Sequence, residues 1–288
     1  MKVLVIGGDG MLGHELLCGL TSHEVRVTLR KDVSRYSGIG LFGPHNAYGG
    51  VDVREVDTVS RAITDFRPAA IINAAGIVKQ RPEAADPVTA LEVNSLFPHR
   101  LADCAAAAGS RLIHISTDCV FSGDRGRYTE RDRPDPIDLY GRTKLLGEPG
   151  AEGTLTLRTS MVGLELGQRR GLVEWALRQH DQIAGYRYAV FSGLTTTELA
   201  RVLDLVLTKA EDLRGIWHVA SAPISKLEFL SELMRRLGRQ AAHVVPDESV
   251  HCDRSLVGAA FEAATGYTPP PWDAMLDELV VSIERRAR

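Results

Sequence analysis

Tyr140 and Lys144 stand four positions apart in "DLYGRTKLLGE" (138–148). Four helical residues advance about 6 Å and return to the same face, so the two side chains can act together. Spacing alone makes this no more than an ordinary helix surface. The stretch "STDCVFSG" at 116–123, just upstream, changes its meaning, because it follows what reads as a central strand. Reduction of a carbonyl needs a proton donor at the oxygen, a group that makes the donor acidic, and a second hydrogen bond to that oxygen. A phenol of ordinary pKa about 10 is a sluggish acid at neutral pH. A nearby lysine cation stabilises the phenolate and lowers that value, and the Thr117 hydroxyl can hold the oxygen as charge develops. Thr117, Tyr140 and Lys144 supply all three needs.

The elements that would position them alternate strand and helix. "KVLVI" (2–6) is a short apolar run of the kind buried on both faces. "MLGHELLCGL" has helical spacing, and "EVRVTLR" (24–30) alternates like a strand. "VDTVSRAITDF" (56–66) reads as helix, "AAIINAAG" (69–76) as strand, 87–108 as helix and "RLIHIST" (111–117) as strand. Such alternation predicts an α/β fold with a Rossmann-type, doubly wound parallel sheet, whose ligands bind at the carboxyl ends of the strands.

The first of those ends carries "GGDGMLG", with Gly7, Gly10 and Gly13 three apart between strand and helix. Gly7 permits the tight turn, Gly10 lets a diphosphate approach the backbone and Gly13 lets helix and strand pack closely. A helix N-terminus there favours phosphates, and Asp9, Met11 and Leu12 complete the candidate dinucleotide cradle. The second strand ends in Arg30 and Lys31, with Arg35 beyond. A cationic end suits the 2′-phosphate of NADP, since arginine grips phosphate bidentately. Asp32 leaves NAD(H) as the lesser alternative.

With these stretches in hand, the chain resembles the extended short-chain dehydrogenases/reductases, and within them the dTDP-4-dehydrorhamnose reductase family. "GGDGMLG", "NAAG", "STDCVF" and "YGRTKLLGE" follow one another as in that family; "LTLRTSMVG" (155–163) is similar too, and "CDRSL" and "TPPPW" more loosely. The resemblance implies a two-domain, NADPH-dependent reductase of a nucleotide-linked 4-keto-6-deoxy sugar. Residues 1–160 would form the NADP-binding Rossmann domain, rejoined by about 192–215, and 161–288 mainly a smaller α/β substrate-binding domain. Thr117, Tyr140 and Lys144 match the family's catalytic triad, and Lys144 would also hold the nicotinamide ribose. Asp52 and Val53 match its adenine-side loop, and Asn73, Ala74, Ala75 and Gly76 its cofactor-lining strand end.

Departures fall on the sugar side. Cys119 stands where the family usually has tyrosine, Met161 where it usually has tryptophan, and 76–86 differs in text. Together with Asp118, these two positions are expected to shape a substrate pocket altered from the family's usual one. Arg169 and Arg170, ahead of an amphipathic helix within 167–179, are candidates for a sugar-nucleotide diphosphate. "SGLTTTELARVLDLVL" (192–207) reads as turn, threonine cap and helix, and 225–238 as an amphipathic helix. His218, His243 and His251, and Trp175, Trp217 and Trp272, read as structural.

Composition narrows the partners. A net charge of −3 with scattered Lys and Arg argues against nucleic acid, and no apolar run reaches membrane-spanning length. The N-terminal apolar run is too short for a signal peptide. Four widely spaced cysteines show no metal-ligand rhythm and favour reduced thiols in a cytoplasmic protein. The expected partner is a nucleotide sugar, with a homodimer left open. Two alternatives remain: an epimerase on the same fold, and a non-catalytic NADP-binding subunit like a known regulatory relative of methionine adenosyltransferase. A dehydratase is disfavoured, because its pattern carries glutamate where Cys119 stands.

Overall fold

A computed structural model describes residues 1–79, 86–167, 169–239 and 244–287. Most of the 80–86 part of the divergent stretch, and His243, lie outside the described residues. The core is a parallel sheet built from β1 (Lys2–Ile6), β2 (Glu24–Thr28), β3 (Ala47–Tyr48), β4 (Ala70–Asn73), β5 (Arg111–Ile115) and β6 (Thr154–Arg158). A seventh strand joins from the second half of the chain, giving the order β3-β2-β1-β4-β5-β6 and then residues 215–218. The doubly wound sheet expected from the strand–helix alternation is therefore present.

Why these residues form these strands is visible in β1. Val3 and Val5 pack into one apolar cluster, while Leu4 and Ile6 pack into another on the opposite face. Period-two alternation with both faces covered leaves no polar position beyond the exposed Lys2, hence the unbroken "VLVI". Helix α1 (Met11–Gly19) lies on the first face, and α2 (Val56–Phe66) lies on the second. α2 buries Val59, Ala62, Ile63 and Phe66, the i, i+3, i+4, i+7 stripe of an amphipathic helix. It ends at Arg67, a non-glycine residue with φ of 52°.

The helix expected over 87–108 is present with one change of winding. It runs from α3 (Pro87–Ala90) to α4 (Phe97–Ala107), and widens to i→i+5 turns over Leu91–Leu96 between them. Such wider turns often accompany a functional position. Here they place the buried Asn94, whose amide exchanges two hydrogen bonds with the Ile77 backbone, at 2.8 and 3.0 Å. α5 (Leu139–Leu146) follows. Strands β2, β4 and β5 all end before the sequence pattern suggested, at 28, 73 and 115.

After β6 come β7 (Met161–Val162), α6 (Leu172–Leu177), β8 (Ile183–Phe191), β9 (Leu194–Thr195) and α7 (Thr196–Thr208). Then follow β10 (Gly215–His218), β11 (Ile224–Ser225), α8 (Lys226–Arg236), β12 (Val244–Asp253), α9 (Ala259–Thr265) and α10 (Trp272–Ala287). Strands β11, β8 and β12 form a separate three-stranded sheet. The expected threonine cap is Thr195, whose hydroxyl accepts from Glu198 N at the start of α7. α6 follows the arginine pair, as the 167–179 stretch suggested. Trp272 packs edge-on against Phe191 and Phe229, and His251 stacks on Tyr188.

Candidate active site

All the parallel strands point their carboxyl ends to one edge, and the expected site residues gather there. At the β1 end, Gly7 has φ of +91°, and a Cβ on Gly13 would lie 2.0 Å from the Gly7 carbonyl oxygen. Gly8, which the three-glycine spacing passed over, is equally constrained: a Cβ there would meet Val27 at 2.4 Å. The extended Gly10 caps α1 without a side chain, and the first turn carries no acidic residue. The first amides of α1, at Met11, Leu12 and Gly13, thus face an anion site of helix-dipole type, free of a competing carboxylate in that turn. This cradle fits a dinucleotide diphosphate.

At the neighbouring β2 end, Arg30 and Lys31 are both exposed. Asp32 turns its carboxylate back to accept from Ser34 N, 2.9 Å, and so caps the short helix after it. Asp9 accepts from the Tyr36 hydroxyl at 2.7 Å. Burial, with that hydrogen bond, pushes the Tyr36 hydroxyl up to about 12. Asp52 is held by Arg54 in two hydrogen bonds of 3.1 and 2.7 Å, which lower its carboxyl pKa. Val53 packs against the second apolar cluster. At the β4 end Asn73 is fully buried, and Ala74 N donates to Ile6 O at 3.1 Å. The Ala75 backbone lies within 3.0 Å of a Cβ placed on Gly7, and Gly76 sits beside Asn94.

Thr117, Tyr140 and Lys144 converge at the β5 end. Asp138 caps α5 by accepting from Gly141 N at 2.8 Å, which sets the helix start one residue before Tyr140. Gly141 lets the helix approach, since a Cβ there would be 2.1 Å from Cys119 O. Thr117 Oγ1 donates to Asp118 Oδ1 and accepts from Cys119 N, both at 3.1 Å, and its hydroxyl acts electrostatically on the Tyr140 phenol. Tyr140 is part-exposed as a residue, yet its hydroxyl is desolvated. Its pKa is therefore raised, first by that burial and then by Cys119, with the Thr117 hydroxyl opposing. The sequence reasoning expected Lys144 to lower it. Instead Lys144 Nζ turns inward, 2.8 Å from the Ile115 carbonyl and 3.3 Å from His114 Nε2. Burial brings Lys144 down to about 8.

The sugar-side candidates are less uniform. Asp118 is buried, which raises its carboxyl pKa, and its amide donates to Thr159 O at 3.2 Å. That link brings Met161, on β7, to the same end as Cys119. Burial raises the Cys119 thiol to about 12, which disfavours the thiolate that a nucleophile needs. The Arg169–Arg170 turn lies elsewhere. Glu165 accepts from the Arg170 and Gly171 amides at 2.8 and 2.9 Å. A Cβ on Gly171 would touch the Met11 methyl at 2.9 Å, so this turn borders the glycine cradle.

The sequence reading missed several residues of the site. Lys79 bridges Asp138 at 2.5 Å and lies 5.7 Å from the Tyr140 ring centroid. Arg254 donates to Phe121 O at 2.9 Å and acts electrostatically on Asp118 and Cys119. His114 was read only as part of a strand. A histidine inside an otherwise apolar buried run was the available signal. Among the described residues, no group of three His, Cys, Asp or Glu side chains is placed to hold a metal.

A family model described as "RmlD substrate binding domain" matches residues 1–284. The chain belongs to this family. The dTDP-4-dehydrorhamnose reductase of Burkholderia thailandensis is 31% identical over 287 residues, 95% of this chain and 86% of that one. Methionine adenosyltransferase 2 subunit beta of Rattus norvegicus is 34% identical over 149 residues, but the match spans only 51% of this chain and 41% of that protein. The fold matches that of dTDP-4-dehydrorhamnose reductase from Bacillus anthracis, solved in complex with NADP. That likeness has a TM-score of 0.80 at 20% identity and covers 98% of this chain and 99% of that one. The proteins this chain is similar to thus include both a named reductase and a named subunit of another enzyme.

Proposed function

We propose that the protein is an NADPH-dependent reductase of a nucleotide-linked 4-keto-6-deoxy sugar, with Tyr140 delivering the proton to the C4 oxygen. The observation that carries this reading is that the buried Thr117, just past the end of β5, and Tyr140, at the start of the α5 helix that packs on Cys119, stand at the same sheet edge as the glycine cradle. Bound NADPH supplies the hydride. Tyr140 gives its proton to the carbonyl oxygen, Thr117 holds that oxygen, and Lys144 would hold the nicotinamide ribose. In this reading residues 1–160 and the returning α7–β10 segment hold the cofactor, and the β8–β11–β12 sheet faces the sugar. The resemblance to a named dTDP-4-dehydrorhamnose reductase over 95% of the chain supports it.

Arg30 and Lys31 stand at the adenosine end, where a 2′-phosphate would lie. NADPH is therefore expected to bind more tightly than NADH. Arg30→Ala should cost roughly tenfold in NADPH affinity, about one charge-assisted hydrogen bond, and leave NADH unchanged. Fluorescence titration of both cofactors checks this; equal affinities in the wild type contradict it.

Cys119 and Met161 replace two aromatics that the resemblance places beside the sugar. dTDP-4-keto-6-deoxy-mannose is therefore not expected to be the best substrate. The smaller sulfur side chains leave volume and remove hydrogen-bond donors, which favours a sugar with a bulkier or less polar substituent. NADPH oxidation against a panel of nucleotide-linked 4-keto sugars, varied in base and C2 substituent, decides it. A wide preference for the rhamnose precursor overturns the substrate prediction. NADPH binding with no turnover of any sugar favours the second reading, a cofactor-binding subunit, which the partial likeness to methionine adenosyltransferase 2 subunit beta supports.

A further inference from the structure

Three buried side chains, Asn73 on β4, His114 on β5 and Lys144 on α5, form a line of contacts beneath the site. None of the proposed catalytic steps uses His114. Its role follows from counting hydrogens along that line.

Asn73 has one acceptor atom, Oδ1, and the Ala75 backbone N–H occupies it at 3.2 Å. The amide nitrogen therefore faces His114, with Nδ2 3.1 Å from Nδ1. An amide nitrogen only donates, so Nδ1 must accept. His114 is fully buried, and burial, together with Lys144 and His99, holds it neutral by dropping its pKa well below the usual value. A neutral imidazole has a single N–H, which must then sit on Nε2. That atom points at Lys144 Nζ, 3.3 Å away. An ammonium has no lone pair to accept with, whereas an amine has one.

We infer that His114 is a positioning residue that donates from Nε2 to Lys144 and favours the neutral amine of Lys144 in the free protein. Asn73 sets this direction by fixing the imidazole tautomer. The second contact of Nζ, to the Ile115 carbonyl, accepts from either protonation state and does not oppose it. The other groups around Lys144 are accounted for. Glu148, one turn along α5, favours the charged form, but Arg158 from β6 takes it in two hydrogen bonds of 2.8 and 2.7 Å. Ser116 donates to the same carboxylate at 2.6 Å. Tyr140 lies one turn before Lys144, and His99 on α4 acts on the imidazole. The lowering of Lys144 to about 8 by burial agrees with this arrangement.

The catalytic consequence rests on the reductase reading. To resupply a proton to Tyr140, Lys144 must be charged, and charging it sets the imidazole proton against the Asn73 amide. His114 thus makes Lys144 a ready proton source near neutral pH rather than a fixed cation.

The test reads the free protein. Long-range proton–nitrogen NMR on ¹⁵N-histidine protein, assigned with His114→Gln, should show His114 as the Nε2–H tautomer above the Lys144 titration. Lys144, followed through its ¹³Cε shift, should titrate near pH 8. Asn73→Asp keeps an acceptor for Ala75 N–H but offers a carboxylate to Nδ1. It should convert His114 to the Nδ1–H tautomer and raise the Lys144 midpoint by about one pH unit or more. His114→Gln, which can accept as well as donate, should raise it by a similar amount. An Nδ1–H tautomer in the wild type above the Lys144 titration, or a Lys144 midpoint unmoved in both variants, overturns the inference. If these readouts hold and no 4-keto sugar is reduced, only the reductase reading fails.

Discussion

Tyr140→Phe is expected to bind NADPH like the wild type and to lose about 10²–10⁴-fold in turnover, the usual worth of positioned general acid catalysis. The substitution removes one oxygen and leaves the ring, the α5 helix and the Asp138 cap in place. Its structural cost is small, on the order of 1 kcal/mol, because only one hydroxyl is lost. A large kinetic loss with little change in melting therefore separates chemistry from folding. The raised pKa of Tyr140 fits an acid that holds its proton until charge develops on the substrate oxygen. Single-turnover measurement under saturating NADPH is the check. Turnover near wild type in Tyr140→Phe would show that another group delivers the proton.

The largest expected effect on stability belongs to a residue that touches neither ligand. Arg158 and Glu148 form a bidentate ion pair whose side chains are 5% and 4% exposed. Glu148 also accepts from Ser116, the residue next to Thr117. Arg158→Met leaves a buried carboxylate without its counter-charge, which costs about 3–5 kcal/mol. The melting midpoint should fall on the order of 10 °C. The double variant Arg158→Met with Glu148→Leu removes both charges and should recover most of the loss, because the pair as a whole is nearly neutral against an apolar replacement. Thermal unfolding of the three proteins decides it; a single variant as stable as wild type contradicts the prediction.

How far the sequence reached depended on how local the signal was. β1 and α2 were legible because each carries its own period, two for "KVLVI" and 3.6 for Val59–Phe66. The glycine loop was legible for the same reason: its geometry is decided within seven residues. The three-stranded sheet was not foreseen, because β8 and β12 pair across some fifty residues and their burial alternates irregularly. Within the site, Thr117 and Tyr140 could be joined by reasoning about strand ends. The inward turn of Lys144 could not, since it depends on His114, thirty positions upstream and brought near only by the sheet. The same limit applies to Lys79 and Arg254, whose partners come from distant segments. Arg169 and Arg170 were aimed at a sugar nucleotide by charge alone, and the turn that holds them borders the glycine cradle.

The seventh strand has a consequence for the chain as it is made. β6 is complete at Arg158, but its outer neighbour β10 is not made until Gly215–His218. At a synthesis rate of about 5–20 residues per second, that edge stays unpaired for several seconds. A run such as "TLTLR", buried along its whole length in the finished fold, is during that interval an open template for pairing with another chain. The segment that crosses away to build the smaller sheet and returns therefore acts as a delayed seal. The nascent protein passes through a window of adhesiveness that its mature surface does not betray.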